Sequence, residues 1–248
     1  MRALVATFAL TGALACTLAA CSGEAGDSEP TPSPTTSAST APDAPSEPRT
    51  LVAADFDEIE LGARIEGPLG PEVEGSIVAG NRSIGDIVSY VACPQEYDEC
   101  DPEDLPEGTV YTYVHIVTPG VDEPNDPPFL RPVGLDEVET ASLFATLRAA
   151  TGFNGAIGYD REQAREALGP DGVVRVLDDN GTLAWRIVGG DGWSTGETIT
   201  FFWQSNLPPE GAEEAFTLRA DEKIGMASGP FPPRAKDSED GGDRGSAP

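Results

Sequence analysis

The sequence has few positively charged residues and only one histidine in 248 residues. It holds 15 Lys and Arg against 43 Asp and Glu, which gives a formal net charge of -28. This deficit argues against a nucleic-acid partner, because binding phosphates requires a basic face. It also argues against electrostatic binding of the chain to anionic lipid headgroups. The single histidine excludes a multi-histidine metal site, and any Ser-His-Asp or Cys-His catalytic group must use His115.

Long apolar runs are also absent, and the first short one is typical of a secretion signal. Arg2 precedes an apolar run over residues 3–15, which is too short to span a bilayer permanently. Residues 18–21 then read LAAC, and small residues before a cysteine at this place resemble the lipobox of bacterial lipoproteins. The resemblance covers residues 1–22. It implies removal of the signal peptide 1–20 and acylation of Cys21, whereas an ordinary signal cut elsewhere is the alternative.

Composition divides the remaining chain into a tether, one folded region and a tail. Residues 21–50 are predicted to be the lipidated cysteine and a disordered tether, because residues 22–50 hold six prolines and eleven Ser and Thr without apolar periodicity. Residues 234–248 are polar and predict a disordered tail. The folded domain is therefore expected over residues 51–233.

Two of the four cysteines remain after Cys16 is lost with the signal and Cys21 is acylated. Cys93 and Cys100 form an even pair in an exported chain, which predicts a disulfide bond. The six residues between them fit neither the CxxC redox motif nor the usual spacing of zinc ligands. A structural disulfide is thus preferred over a metal-binding or redox pair.

Alternating apolar residues predict strands along most of the folded region. Residues 173–178 and 183–188 flank Asn180-Gly181, which indicates a hairpin with a type I′ turn. Other strands are expected over 86–93, 109–118, 198–205, 215–219 and 224–227. These patterns predict a mainly β fold, an antiparallel β-sandwich with one or two short helices.

One helix is well marked and a second is ambiguous. Asp160 is expected to cap the first helix, Gln163 to close a capping box, and Gly169-Pro170 to end it. Residues 135–149 have a helical composition but no clear helical periodicity, so helix and strand both remain open there.

Aromatic residues supply the candidate ligand contacts. Tyr111, Tyr113 and His115 alternate along one strand and share one face, which predicts a flat polar-aromatic surface that a ligand such as a sugar could contact. The alternative is a structural role, in which the helix packs over these rings. Trp193 lies in a glycine-rich loop, where it either binds a partner or folds back to close one end of the fold.

Acidic loops supply the candidate metal ligands. Seven carboxylates lie between Gln95 and Glu107, among them the candidate ligands Asp98, Asp101 and Asp104, and the following loop contributes Asp122 and Asp126. Oxygen ligands in loops suit Ca²⁺, so weak calcium sites are one interpretation and plain solvated charge is the other. The loops lie at opposite ends of one strand and would form two sites.

The combined patterns favour a membrane-anchored extracytoplasmic lipoprotein over an enzyme. We expect its β-domain to act as a binding or interaction module in the cell envelope, with another envelope protein, a glycan or a small ligand as partner. An envelope hydrolase and a Ca²⁺-dependent structural protein are the alternatives. No catalytic residues are predicted, because no GxSxG motif accompanies His115 and no carboxylate pair stands out.

Overall fold

The computed structural model describes residues 47–121 and 134–234. It is mainly β with one α-helix in these residues, which confirms the predicted class. The predicted division into two antiparallel sheets is not seen. The strands form one connected, curled mixed sheet that resembles half of a barrel, and the short strand Ala54–Asp55 pairs in parallel with the strand Phe153–Tyr159. Two halves of this one sheet face each other and bury the core. Core-facing and outward-facing residues therefore alternate along the strands as they would in a sandwich.

Fourteen strands lie in the described residues. They are β1 Arg49–Leu51, β2 Ala54–Asp55, β3 Leu61–Arg64, β4 Val73–Ala79, β5 Arg82–Pro94, β6 Tyr111–Pro119, β7 Thr140–Thr146, β8 Phe153–Tyr159, β9 Val173–Asp179, β10 Thr182–Gly189, β11 Trp193–Ser194, β12 Ile199–Ser205, β13 Ala212–Ala220 and β14 Lys223–Pro230. The helix α1 spans Arg161–Leu168, and a 3-10 turn spans Phe56–Glu58.

One hydrogen-bonded path runs through twelve of the strands. The order is β1-β9-β10-β7-β13-β14-β4-β5-β6-β12-β8-β2, with β11 on β7 and β3 on β5. The two ends of this path, β1 and β2, are consecutive in sequence and are separated only by Val52 and Ala53. One short segment therefore covers both edges of the sheet, which requires the sheet to curl until its edges lie close together.

The helix α1 holds this segment in place. The Arg161 backbone N–H donates to Asp55 Oδ1 at 3.2 Å, and its guanidinium donates to the Ala53 carbonyl at 2.8 Å. Asp160 caps α1 as predicted, accepting from the Gln163 N–H at 2.9 Å. The Gln163 side chain instead accepts from the Thr200 N–H at 2.7 Å, so it ties the helix to β12 and does not close the expected capping box.

The inner face of the sheet carries an aromatic core. Phe144, Trp185, Phe201 and Phe216 are fully buried, with ring centroids 5.1–5.7 Å apart in the contacting pairs. A second, smaller cluster lies on the outer face of β5, β6 and β12, where residues 54–61 cover it. These central strands are therefore buried on both faces.

The strongest local prediction, the hairpin, is confirmed. Asn180 and Gly181 have φ angles of 53° and 85°, as a type I′ turn requires, and β9 pairs with β10 on either side of them. Residues 135–149, ambiguous in sequence, contain the strand β7, because they pair with β10 and β13 on both sides. No helix in the described ranges is long and apolar enough to cross a membrane.

β1 begins inside the predicted tether, since Arg49 and Thr50 already pair with β9. Other predictions for the two ends of the chain lie outside the described residues. These are the signal peptide, the acylation of Cys21, the tether before residue 47 and the tail beyond residue 234.

Candidate functional site

A cleft of about 610 Å³ lies between residues 63–69 and the loop 98–103. One wall follows β3, which pairs with the end of β5. This close approach requires glycine, because a Cβ at Gly62 would lie 2.1 Å from the Pro94 carbonyl oxygen. The Ala63 N–H donates to the Tyr97 carbonyl at 3.0 Å, so the first wall is fixed directly to the start of the acidic loop.

The second wall is fixed by the disulfide bond between Cys93 and Cys100, which confirms the sequence prediction. Cys100 also forms a backbone bridge with Ile65, and the Ile65 N–H donates to the Val91 carbonyl at 2.9 Å. Both walls therefore depend on covalent or backbone contacts. The volume lies in the range of small-ligand sites, about 300–1,000 Å³.

The lining of the cleft is mostly acidic. The charged residues are Arg64, Glu66, Asp98, Glu99, Asp101 and Glu103. Arg64, the only cation among them, pairs with Glu72 and stacks 3.7 Å from the centroid of the Tyr90 ring. The charge of Arg64 is thus partly neutralised. The carboxylates therefore dominate the electrostatic potential of the cleft, which attracts cations.

The candidate calcium ligands do not come together in the described residues. Asp98 and Asp101 line the cleft, but Asp104 does not, and Asp101 Oδ1 accepts from the Glu103 N–H at 3.0 Å. Across residues 47–121 and 134–234, no group of three or more His, Cys, Asp or Glu is placed to hold a metal ion. Asp122 and Asp126 lie outside the described residues, so a Ca²⁺ site there stays a prediction.

The expected aromatic surface lies in the core. Tyr111, Tyr113 and His115 do share one face of β6, but it is the inner face, and their exposed fractions are 3%, 0% and 0%. Tyr113 stacks on Trp203 at 4.2 Å and donates to the Leu207 carbonyl at 3.0 Å. The curled sheet, and not the helix, covers these rings. They offer no accessible face to a ligand in this state.

His115 is held as a neutral ring between two hydrogen-bonding neighbours. The Trp203 Nε1–H lies 3.2 Å from His115 Nε2, and because an indole only donates, Nε2 carries no proton. The proton is then on Nδ1, which donates to Ser89 Oγ at 2.9 Å. Burial lowers the pKa of His115 to about 3, so the neutral form persists at ordinary pH.

The hydrogen bond between His115 and Ser89 runs in the opposite direction to the one between a general base and its nucleophile. A general base must accept the proton of the nucleophile, whereas Nδ1 of His115 already donates to Ser89. Ser89 and His115 are also fully buried. The pair therefore has the geometry of a satisfied core contact.

Trp193 follows the second of its two expected arrangements, with its ring folded back onto the core. It is fully buried, its Nε1–H donates to the Glu197 carbonyl at 2.7 Å, and its ring meets Phe201 edge-on at 5.5 Å. Its loop is rich in glycine because the chain turns sharply there, as shown by φ angles of 92° and 100° at Gly190 and Gly192.

Sequence reasoning found the acidic half of the cleft but missed the half formed by residues 63–69. Gly62, two residues before β3 ends, was the available local signal of a close backbone approach. Comparisons with protein-family models, curated proteins and solved structures gave no match for this chain.

Proposed function

We propose that this chain is an extracytoplasmic lipoprotein, anchored through acylated Cys21, whose β-domain binds a partner in the bacterial cell envelope. The anchoring rests on the lipobox-like LAAC at residues 18–21. The disulfide between Cys93 and Cys100 supports an oxidising compartment, because such bonds are rare in reducing cytosol.

The observation that carries the binding role is the acidic cleft. Its walls are fixed by the disulfide and by backbone hydrogen bonds, so a ligand meets a largely preformed site. Five carboxylates face one arginine that is already paired. This charge favours a partner that presents Lys, Arg or another amine, such as a basic segment of an envelope protein.

The state of His115 favours binding over the alternative of an envelope hydrolase. That alternative needs a concave site at His115 or at a close carboxylate pair. Both ring nitrogens of His115 are engaged inside the core, away from the cleft. A hydrolytic role therefore gains no support from the only histidine in the chain.

Binding in the cleft is tested with an oligolysine peptide as probe. The double variant Glu66→Gln/Asp98→Asn removes two charges from the cleft and is expected to weaken binding about fivefold, since each exposed ion pair contributes about 0.2–1 kcal/mol. The measurement is titration calorimetry on the oxidised protein at low salt, where screening is weakest.

A matched control separates the cleft from the general negative charge of the chain. Glu162→Gln/Glu166→Gln removes the same charge from exposed positions on α1. We expect this control to bind oligolysine as the wild type does. Equal weakening in both double variants would contradict the proposal, because binding would then follow net charge alone.

Anchoring is tested by metabolic labelling with an alkyne fatty acid, followed by membrane fractionation. Cys21→Ser is expected to lose the label and to leave the membrane fraction. Cys16→Ser, five residues earlier in the same signal, is expected to keep both properties. Retained label in Cys21→Ser would overturn the lipoprotein assignment without bearing on the cleft.

A further inference from the structure

A row of arginines crosses the outer face of the sheet. The strand register places Arg175 opposite Arg186, Arg186 opposite Leu143, Leu143 opposite Arg219, and Arg219 opposite Ile224. Because residues directly opposite each other point to the same side, these five side chains form one line across β9, β10, β7, β13 and β14. We name this surface the arginine face.

The arginine face is the outer side, because its residues alternate with the core. Val174, Trp185, Phe144 and Leu218, each adjacent in sequence to a member of the row, are all buried. The three arginines themselves are exposed. With adjacent strands about 4.8 Å apart, the charges of the row extend over roughly 14 Å.

None of these three arginine side chains forms an ion pair or a hydrogen bond within the described parts of the chain. This is unusual in a chain with 43 acidic residues, and Arg175 and Arg186 are also directly opposite each other. Like charges in that position repel. The row is therefore a local positive surface without an internal partner among the described residues.

Exposed apolar side chains surround the row. Val173 and Val188 lie two residues from Arg175 and Arg186 on their strands, and Met226 lies two residues from Ile224, so strand alternation places them on the same face. Their exposed fractions, with that of Ile224, range from 43% to 58%. Cations among apolar side chains are the composition that suits the headgroup region of an anionic membrane.

The chain enters the domain beside this face. β1 pairs with β9, the strand that carries Arg175, and its first residue is Arg49. Arg49 lies twenty-eight positions after Cys21, so an anchor at Cys21 keeps the domain within about 100 Å of the membrane. This confinement corresponds to a high effective concentration, at which even a weak attraction is effective.

We propose that the arginine face docks the domain onto an anionic lipid surface. This inference rests on the proposed anchoring at Cys21, which supplies the confinement. The net charge of -28 predicts repulsion of the chain as a whole, but charges beyond a Debye length of about 8 Å are largely screened at physiological salt. The arginines of the row therefore determine the electrostatic interaction of this face with the membrane surface.

The test uses residues 22–248 with an N-terminal His tag bound to nickel-chelating lipid in vesicles. This range contains all of the described residues. Ile224→Cys carries an environment-sensitive fluorophore and is the only free thiol, because Cys93 and Cys100 are joined. We expect its emission to shift to shorter wavelength on vesicles containing phosphatidylglycerol. No shift is expected on phosphatidylcholine with the same nickel lipid, or at about 1 M salt.

Substitutions of single arginines measure how much each charge contributes to docking. Arg186→Gln is expected to lower the ratio of docked to free domain about fivefold, which corresponds to about 1 kcal/mol per arginine near an anionic surface. Arg165→Gln is the matched control, since Arg165 is exposed on α1 and has no ion pair in the described residues. It is expected to leave the ratio unchanged.

Three results would overturn the proposal. The first is a fluorophore at position 224 whose emission does not shift on anionic vesicles. The second is an equal effect of Arg186→Gln and Arg165→Gln on the ratio of docked to free domain. The third is an equal shift produced by soluble polyphosphate without vesicles, which would assign the face to a soluble polyanion. Because the His tag replaces the acyl group, none of these results depends on whether Cys21 is acylated.

Discussion

Acidification tests the buried state of His115 in the simplest way. Its pKa is about 3 in the folded protein, against 6.5 for an unhindered imidazole. Below pH 6.5 the unfolded chain therefore binds a proton that the folded chain takes up only near pH 3. The free energy of unfolding consequently falls as pH is lowered through this range, and the stability present above pH 6.5 is progressively lost.

The size of this loss follows from the two pKa values. Between pH 7 and pH 5 the contribution of His115 to the free energy of unfolding decreases by about 2 kcal/mol. By pH 3 the decrease reaches about 4 kcal/mol. No other histidine contributes, because the chain has only one. Burial raises the pKa of Asp178, but the hydrogen bond and charge of Arg49 bring it below its ordinary value, and backbone N–H donors lower the pKa of Asp221. The stability that these two carboxylates contribute is lost only as pH falls through and below the ordinary value of 3.8.

The assay is urea denaturation of the oxidised protein at several pH values, compared with His115→Gln. Glutamine can accept from Trp203 and donate to Ser89, so it preserves the hydrogen-bonding roles of the ring. The carboxylate background is common to both proteins and cancels in the difference. Wild type is expected to lose about 2 kcal/mol more than the variant between pH 7 and pH 5.

A direct measurement covers the case in which the variant does not fold. The one imidazole gives one set of NMR signals, which are expected to remain those of a neutral ring protonated on Nδ1 down to about pH 4. An imidazole that titrates near pH 6.5 in the folded protein would refute the reasoning. So would equal pH dependence in wild type and His115→Gln.

Two further predictions concern stability. Replacing both Cys93 and Cys100 with Ala is expected to lower the free energy of unfolding by about 2.5 kcal/mol, the loop-entropy value for an eight-residue loop; an unchanged midpoint in thermal denaturation would contradict this. Arg175→Gln is expected to raise stability by about 0.2–1 kcal/mol, because it removes a like charge directly opposite Arg186. The gain should vanish at about 1 M salt and be absent in Arg165→Gln, and urea denaturation measures both.

Local features of the fold were predictable because their signals are contained in short stretches. Asn180-Gly181 specifies a turn with two positive φ angles, and the flanking alternation specifies the strands. Asp160 specifies the start of α1. Each of these signals acts over a few residues, so no long-range contact was needed to interpret them.

The inward face of β6 was not predictable for a physical reason. Alternation shows that Tyr111, Tyr113 and His115 share a face, but it does not tell which face is inside when both are covered. The inner side of β6 meets Phe144 and Phe216 from the opposite half of the sheet. That contact depends on the curl of the whole sheet, to which distant segments contribute.

The cleft and the arginine face depend on distant pairing in the same way. Arg186 and Arg219 lie thirty-three positions apart in sequence, and only the pairing of β7 with β10 and β13 brings them into one row. Before that register is known, each arginine is one isolated charge on a strand. The acidic loop was visible because its carboxylates are adjacent in sequence.

The segment from Arg49 to Asp55 gives the domain a defined mechanical weak point. Its two short strands cover both edges of the sheet, and its first two residues fall within the predicted tether. A pull on an anchored chain reaches this segment first, and β1 contributes only three paired residues to resist it. Detachment of the segment would uncover the edges of β9 and β8 together. Under the proposed anchoring at Cys21, tension would thus open two strand edges to a new partner before it unfolded the domain.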